Sequence, residues 1–382
     1  MFILAKDKKF WTYTVLNNDF TYYLLALSRI KNLGSIRQKK LLQAFPHPKE
    51  IFKAPLKDLS RITGENIARE IRSANIFDEV DKEMKFIENQ GIKILTIFDE
   101  SYPHLLKHTP DAPVFLFKKG HFNFNRKRYL SVVGTRKNTS YGRQFVKDFI
   151  ASLKDYNPVI VSGMAYGIDI QAHQSALEND LITVAVMGTS FKQIYPSVHR
   201  KYYEQILENG AVLSEYFSSD KPDRNYFLQR NRIIAGMSQA TIVVESGLKG
   251  GALVTAEMAF TYNREVYALP GRVTDNFSKG CNMLINKNIA KILISTEQIT
   301  GDLQWEINEP KHQPRPVQKQ LFVNLSEDEQ TIVSLLEDNG KMHLDDMAIA
   351  LHMSISKLAR HLVILELNGV VKTLPGKYYE LA

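Results

Sequence analysis

The residues able to do chemistry in this 382-residue chain are cations and glycines placed at the ends of short apolar runs. Leu130-Ser131-Val132-Val133 ends in Gly134-Thr135-Arg136. An amphipathic pattern then starts near Tyr141-Gly142, with Phe145, Phe149, Ile150 and Leu153 at helical spacing. The order is strand, tight turn, helix. Gly134 lets the backbone turn and approach a ligand, and the helix start offers unpaired N–H groups. Arg136 adds a planar guanidinium fork that matches a phosphate. The arrangement is built to receive an anion.

Three more stretches carry related signs. Ser162-Gly163-Met164-Ala165-Tyr166-Gly167-Ile168-Asp169 brings glycines and a hydroxyl to a strand–helix junction, with Asp169 and His173 on the first helical turns. A tight turn accounts for the glycines but not for the two titratable groups, although a lone histidine on such a helix is more often a packing residue than a catalyst. Gln229-Arg230-Asn231-Arg232 precedes the apolar Ile233-Ile234-Ala235. Read as a helix start, its cations oppose the macrodipole, and an incoming phosphate relieves that conflict. Glu245-Ser246-Gly247-Leu248-Lys249-Gly250-Gly251 is a glycine-rich loop ahead of Ala252-Leu253-Val254-Thr255. Gly250 and Gly251 let backbone amides form an anion nest, with Lys249 supplying charge. The loop lacks the P-loop spacing before Lys-Ser/Thr, and no G-x-G-x-x-G turn is followed by a ribose-binding acid. NTPase and nicotinamide chemistry are therefore rejected.

These residues need a scaffold that gathers strand ends on one edge. Val159 to Ser162, Thr183 to Met187, Ala211 to Tyr216, Thr241 to Val244, Glu265 to Leu269 and Lys291 to Ile294 are short β-rich runs alternating with helical patterns. That alternation predicts an α/β, doubly wound, mostly parallel sheet with ligands at the carboxyl ends of its strands. Residues 1–20 show no period and are expected to be a poorly ordered extension. A helical domain is expected over 21–92. There Leu33-Gly34 and Thr63-Gly64 each lead into a helix, either as hairpins that grip a nucleic-acid backbone or as ordinary turns. The sheet domain spans 93–302, entered through an extended, proline-held bridge around Thr109 to Phe117. A proline-rich linker covers 303–320. In 321–382, three helices and a hairpin about Pro375-Gly376 predict a winged helix. Its expected groove-facing helix, capped by Ser354, carries only Lys357, Arg360 and His361, which is thin for reading DNA.

Composition narrows the partner. Lys and Arg total 49 against 41 Asp and Glu, a net charge of +8, which favours a polyanion. One cysteine, Cys281, fits a reducing compartment, and no Cys/His cluster has zinc spacing. No apolar run approaches the ~20 residues of a membrane span. A soluble, cytoplasmic protein without cofactor or metal is the expectation.

The chain resembles the DNA-processing protein A (DprA, also called Smf) family. The resemblance rests on Val133-Gly134-Thr135-Arg136, on Ser162 through Asp169 with Ala172-His173, and on Met187-Gly188 with Tyr195-Pro196. It continues through Leu213-Ser214-Glu215, Phe227 with Arg230 through Gly236, Val243-Val244-Glu245, Leu253-Val254-Thr255-Ala256 and Ala268-Leu269-Pro270-Gly271. It implies an extended Rossmann-like sheet domain between a SAM/helix-hairpin-helix-like helical domain and a winged helix. It also implies a homodimer that binds single-stranded DNA, protects incoming strands and loads the RecA recombinase during natural transformation. Three places depart from the family pattern: Tyr166 for Arg, Gly250-Gly251-Ala252 for Ser-Gly-Ser, and Asn288-Ile289 for Gly-Ala.

Residues and resemblance together set the expected nucleic-acid-binding residues at Gly134, Thr135, Arg136, Ser162, Gly163, Gly188, Arg200, Lys201, Arg230, Asn231, Arg232, Lys249, Gly250, Gly251 and Thr255. The competing reading is a phosphoribohydrolase of the related nucleotide-binding fold, with Glu257 aligned to a catalytic glutamate. Leu253 stands where those hydrolases place a glycine, so Glu257 is expected to be structural and the protein not to be an enzyme. A purely partner-binding role is the third reading.

Overall fold

In the computed structural model, the apolar runs that alternate with amphipathic stretches form one large sheet covered by helices on both faces. The structure describes residues 18–124, 126–306, 325–374 and 377–381, and the chain divides into two units, Met1–Asn308 and Glu309–Ala382.

The first unit opens with helices α1 (Asn18–Ser28), α2 (Ser35–Ala44), α3 (Pro48–Lys53), α4 (Leu56–Thr63), α5 (Glu65–Arg72) and α6 (Phe77–Gln90). Residues 1–17 of the expected extension lie outside the described residues. Its last three residues instead begin α1, where Phe20 is buried. Gly34 and Gly64 stand directly before α2 and α5, as the turn reading requires. Leu24, Leu25, Leu41, Ile51, Leu59 and Ile71 form the core of these helices. Phe115, Phe117 and Phe217 of the sheet domain complete it.

The sheet domain continues with β1 (Lys93–Thr96), α7 (His104–Lys107), β2 (Phe115–Lys119), β3 (Tyr129–Gly134), α8 (Ser140–Ser152), β4 (Val159–Ser162), α9 (Ile168–Glu178) and β5 (Thr183–Val186). It ends with α10 (Arg200–Asn209), β6 (Gly210–Ser214), α11 (Arg224–Met237), β7 (Ala240–Val244), α12 (Gly251–Thr261), β8 (Glu265–Ala268), α13 (Lys279–Asn286), β9 (Lys291–Ile292) and α14 (Thr296–Asp302). Among the described residues the sheet has nine strands in the order β1-β2-β6-β5-β4-β3-β7-β8-β9. From β6 to β9 neighbours are parallel, while β2 joins β1 and β6 antiparallel. The expected bridge is corrected at its end, where Phe115-Leu116-Phe117 is a strand of the sheet. The prolines before it masked the alternation by which Phe115 and Phe117 face the helical core and Leu116 the other side.

Strand β3 shows how the two layers are held. Leu130 and Val132 pack with Phe149, Ile150 and Ala172 on the α8–α9 side. Tyr129 and Val133 pack with Ile233, Ile234 and Ala256 on the α11–α12 side. Burying one such valine contributes about 1.5–3 kcal/mol. Ser131, pointing the same way as Val133, donates to the Ile234 carbonyl oxygen at 2.8 Å, so this polar side chain is satisfied inside the core. Past β9, Trp305 is buried and its Nε1 donates to Gln239 Oε1 at 3.2 Å. The sheet domain thus runs beyond residue 302, and residues 307–320 of the expected linker lie outside the described residues.

The second unit has α15 (Glu327–Asn339), β10 (Met342–His343), α16 (Leu344–Ala350), α17 (Ile355–Leu367), β11 (Val371–Leu374) and β12 (Tyr378–Leu381). Its strands pair in the order β10-β12-β11, which is a winged helix around Ile332, Leu336, Met347, Leu358, Leu362 and Val371. The two-residue β10 is too short to show a period in sequence. Among the described residues no single helix is long and apolar enough to cross a membrane.

Candidate functional site

The sheet grows one way from β3 through β4, β5 and β6, and the other way through β7, β8 and β9. The crevice between the carboxyl ends of β3 and β7 is therefore the switch point where such folds take ligands. Here the chain itself fills it. Glu245, just after β7, holds a left-handed backbone with φ +58° and turns its carboxylate onto the start of α8. Thr139 N donates to Glu245 Oε2 at 2.8 Å, and the Thr139 hydroxyl donates to the other oxygen. Glu245 O accepts from Thr135 N at 2.7 Å. A Cβ on Gly134 would stand 2.0 Å from the Val244 carbonyl oxygen, so only glycine permits this closure. The expectation that the start of α8 receives an external anion is corrected: Glu245 is its anion.

The arginines after Gln229 are corrected too. Helix α11 starts at Arg224, capped by Asp223, whose carboxylate accepts from Asn225 N at 2.7 Å. Arg230 and Arg232 therefore lie in its interior rather than at its start, and the macrodipole argument lapses. The apolar run from Ile233 suggested a later beginning and hid the Asp223 cap. Arg230 is buried, and its guanidinium donates to the carbonyl oxygens of Gly163, at 2.7 Å, and Val186. Arg232 grips both oxygens of Glu215 at 2.7 and 2.6 Å. Asn231 donates to Gly251 O at 3.3 Å, tying α11 to the start of α12.

A buried electrostatic network surrounds Arg230. Burial pushes the Asp169 carboxyl up while Arg230 pulls it down, and backbone amides of Ala165 and Gly163 also favour its charge. Burial likewise pushes the Arg230 guanidinium down, opposed by Asp169. His173 is driven down to about 3 by burial and then by the Arg230 charge, which keeps it neutral. Thr183 gives its hydroxyl proton to Ile160 O at 2.9 Å, so the 2.6 Å contact with His173 has Nδ1–H as donor. His173 is a packing residue, as expected. Ser162 donates to Val132 O at 2.6 Å and Thr255 to Gly251 O at 3.2 Å, so both expected hydroxyls serve the scaffold.

The outward-facing cations follow β3, open α10 and precede α12, at the carboxyl edge of the sheet. Arg136, Arg200, Lys201 and Lys249 are exposed. Gly250 caps α12 without any side-chain hydrogen bond, and Gly251 has open space where a Cβ would point, the nearest atom being Asn231 Nδ2 at 3.8 Å. The Arg136 guanidinium lies 5.9 Å from the centre of the Phe227 ring. Phe227 rests on Gly188, where a Cβ would come within 2.8 Å of the ring. Arg136, Tyr166, Tyr195, Pro196 and Phe227 line a narrow crevice here. Nothing in their sequence surroundings gives these aromatic residues a role. They are scattered from 166 to 227, so no spacing announces that they meet. Glu257 is exposed on α12, whereas Leu253 is buried.

In the winged helix, two of the three basic groups of α17 are already engaged. Lys357 pairs with Asp328 at 2.8 Å, and His361 lies 3.4 Å from Glu329 and 3.6 Å from Asp328. Arg360 is exposed.

Against known proteins, a family model described as DNA recombination-mediator protein A matches residues 93–304, and one described as the DprA winged helix domain matches 314–377. Protein Smf of Synechocystis is 34% identical over 296 residues, covering 75% of this chain and 73% of that protein. The DNA processing protein DprA of Streptococcus pneumoniae is 34% identical over 257 residues, covering 63% of this chain and 90% of its own. The X-ray structure of the pneumococcal protein superposes with a TM-score of 0.64 at 31% identity, covering 75% of this chain and 98% of that one. DNA processing protein A of Helicobacter pylori, whose structure describes a single-stranded DNA binding mode, gives a TM-score of 0.50 at 29% identity. It covers 56% of this chain and 95% of that one.

Proposed function

Because this chain belongs to the DNA recombination-mediator protein A family, we propose that it binds single-stranded DNA at the carboxyl edge of its large sheet. The observation that carries this reading is Arg136, an exposed guanidinium at the end of β3, held beside a ring with further exposed cations at Arg200, Lys201 and Lys249. Phosphates meet these cations and the open amides at Gly250-Gly251. Gly134, Gly163 and Gly188 let the backbone and Phe227 close up beneath them. Ser162, Arg230, Asn231, Arg232 and Thr255 then support the site from inside rather than touching the strand.

In this reading the protein is a cytoplasmic DNA-processing factor of transformation. It works as a homodimer, protects incoming strands and loads the RecA recombinase onto them, and family membership is what supports those finer parts. It acts by binding and does not break a bond. Glu257 faces solvent and buried Leu253 replaces a glycine, which disfavours a nucleotide-hydrolysing pocket.

The test is a salt titration of single-strand affinity. Log K should fall against log salt with a slope of about −0.7 per phosphate neutralised, and Arg136→Ala should weaken binding and make the slope shallower. If Arg136→Ala binds like the parent at every salt concentration, the strand does not lie on this edge.

A further inference from the structure

We infer that the winged-helix unit is a protein-docking module, which takes a basic amphipathic helix of another protein on the outer ridge of α17. Its charge is the first reason. Residues 321–382 hold nine Asp and Glu against five Lys and Arg, a net −4 in a chain of +8, so the remaining residues carry +12. Glu337, Asp338 and Asp346 are exposed on α15 and α16, the two helices packed against α17. Among the described residues these three carboxylates have no cationic partner, whereas Lys357 and His361 of α17 already face Asp328 and Glu329.

The ridge itself is the second reason. Leu358, Leu362 and Leu365 seal α17 onto the core. That turns Ser356, Arg360, Val363 and Leu367 outward, at intervals of four, three and four residues. Leu367 leaves 82% of its surface in water, Val363 55% and Ile364 40%. A winged helix that reads a groove presents polar and cationic groups on this helix. Here the last two turns offer an apolar ridge whose one exposed charge is Glu366.

Charge then selects the occupant. Phosphates and a second copy of this unit would both bring negative charge to a surface that is already negative. A polypeptide helix with an apolar stripe flanked by Lys and Arg matches both features, since a ridge at these intervals packs into the groove of another helix.

The experiment uses the full chain and fluorescence anisotropy with two labelled helical peptides. They share one leucine stripe and carry lysines or glutamates on the opposite face. The parent should bind the lysine peptide about tenfold more tightly than the glutamate peptide. Leu367→Ser and Val363→Ser should each weaken the lysine peptide by about tenfold and leave single-strand DNA affinity as in the parent. Both side chains are exposed, so the fold tolerates the change. Asp346→Asn should weaken the same peptide by a smaller factor. Equal binding of the two peptides overturns the proposal. So does lysine-peptide binding that survives both serine substitutions. Self-association abolished by Leu367→Ser would make a second copy the occupant, and duplex DNA binding abolished by Arg360→Ala would make it nucleic acid; either result also overturns it.

Discussion

The starts of α8 and α12 share one sequence grammar, an apolar strand leading through glycine into a helix, and they finish with opposite occupants. At α8 the carboxylate of Glu245 accepts from Thr139 N and the Thr139 hydroxyl, so the positive end of that helix is satisfied within the protein. At α12 no side chain caps the helix, Gly251 is open, and Lys249 beside it is exposed. One loop, residues 245–251, fills the first start and leads into the second. A helix start receives a ligand only where the protein has not supplied its own anion. Arg230 and Arg136 divide the same way, the first spent on carbonyl oxygens under the site, the second left outside.

The largest test of this division is at the inner arginine. Arg230→Met should strip buried Asp169 of its main cation, leaving only the weaker pull of Arg136, and cost about 3–5 kcal/mol of unfolding free energy in urea. Arg136→Ala should cost under about 0.5 kcal/mol while weakening single-strand binding. Equal stability losses at the two positions would erase the distinction between inner and outer charge.

Next comes Glu245→Ala, which strips the internal anion from α8 and should lower stability by about 2–3 kcal/mol through lost charge-assisted hydrogen bonds. Added sulfate should recover part of that loss in the variant but not in the parent. A variant as stable as the parent would show that Glu245 is not the anion of α8.

A smaller effect follows from His173. Its folded-state pKa near 3 lies below the ordinary value near 6.5. The unfolded chain therefore binds the proton first. The stability contributed is complete above pH 6.5 and drains away as pH falls towards 3, by roughly 1 kcal/mol between pH 7.5 and 5.5. Urea unfolding at those two pH values measures it, and His173→Asn should flatten this part of the profile.

The smallest expected change is at the outer helix start. Lys249→Ala should reduce single-strand affinity a few-fold, make the salt slope shallower by about 0.7, and leave stability within about 0.5 kcal/mol. An unchanged slope would move the strand away from α12.

Much of the architecture is legible in the sequence. The strands from Tyr129 to Ala268, the helices between them and the winged helix are written in local periodicity, since each element's apolar spacing must match its own buried face. Errors arose where a short-range signal stood for a long-range fact. Phe115-Leu116-Phe117 followed prolines and passed for a bridge, and Arg230 preceded an apolar run and passed for a helix start.

What tertiary structure alone decided is which charges face inward. Glu245 reaches Thr139 across 106 residues of sequence, and Arg230 reaches Gly163 across 67. Tyr166, Tyr195 and Phe227 meet only because the turns after β4 and β5 and the first turns of α11 share one edge of the sheet. A residue's type and neighbours determine that it is charged or aromatic. Whether it pairs, is buried or stays in water depends on partners brought close by strand order, and a linear pattern does not encode that order.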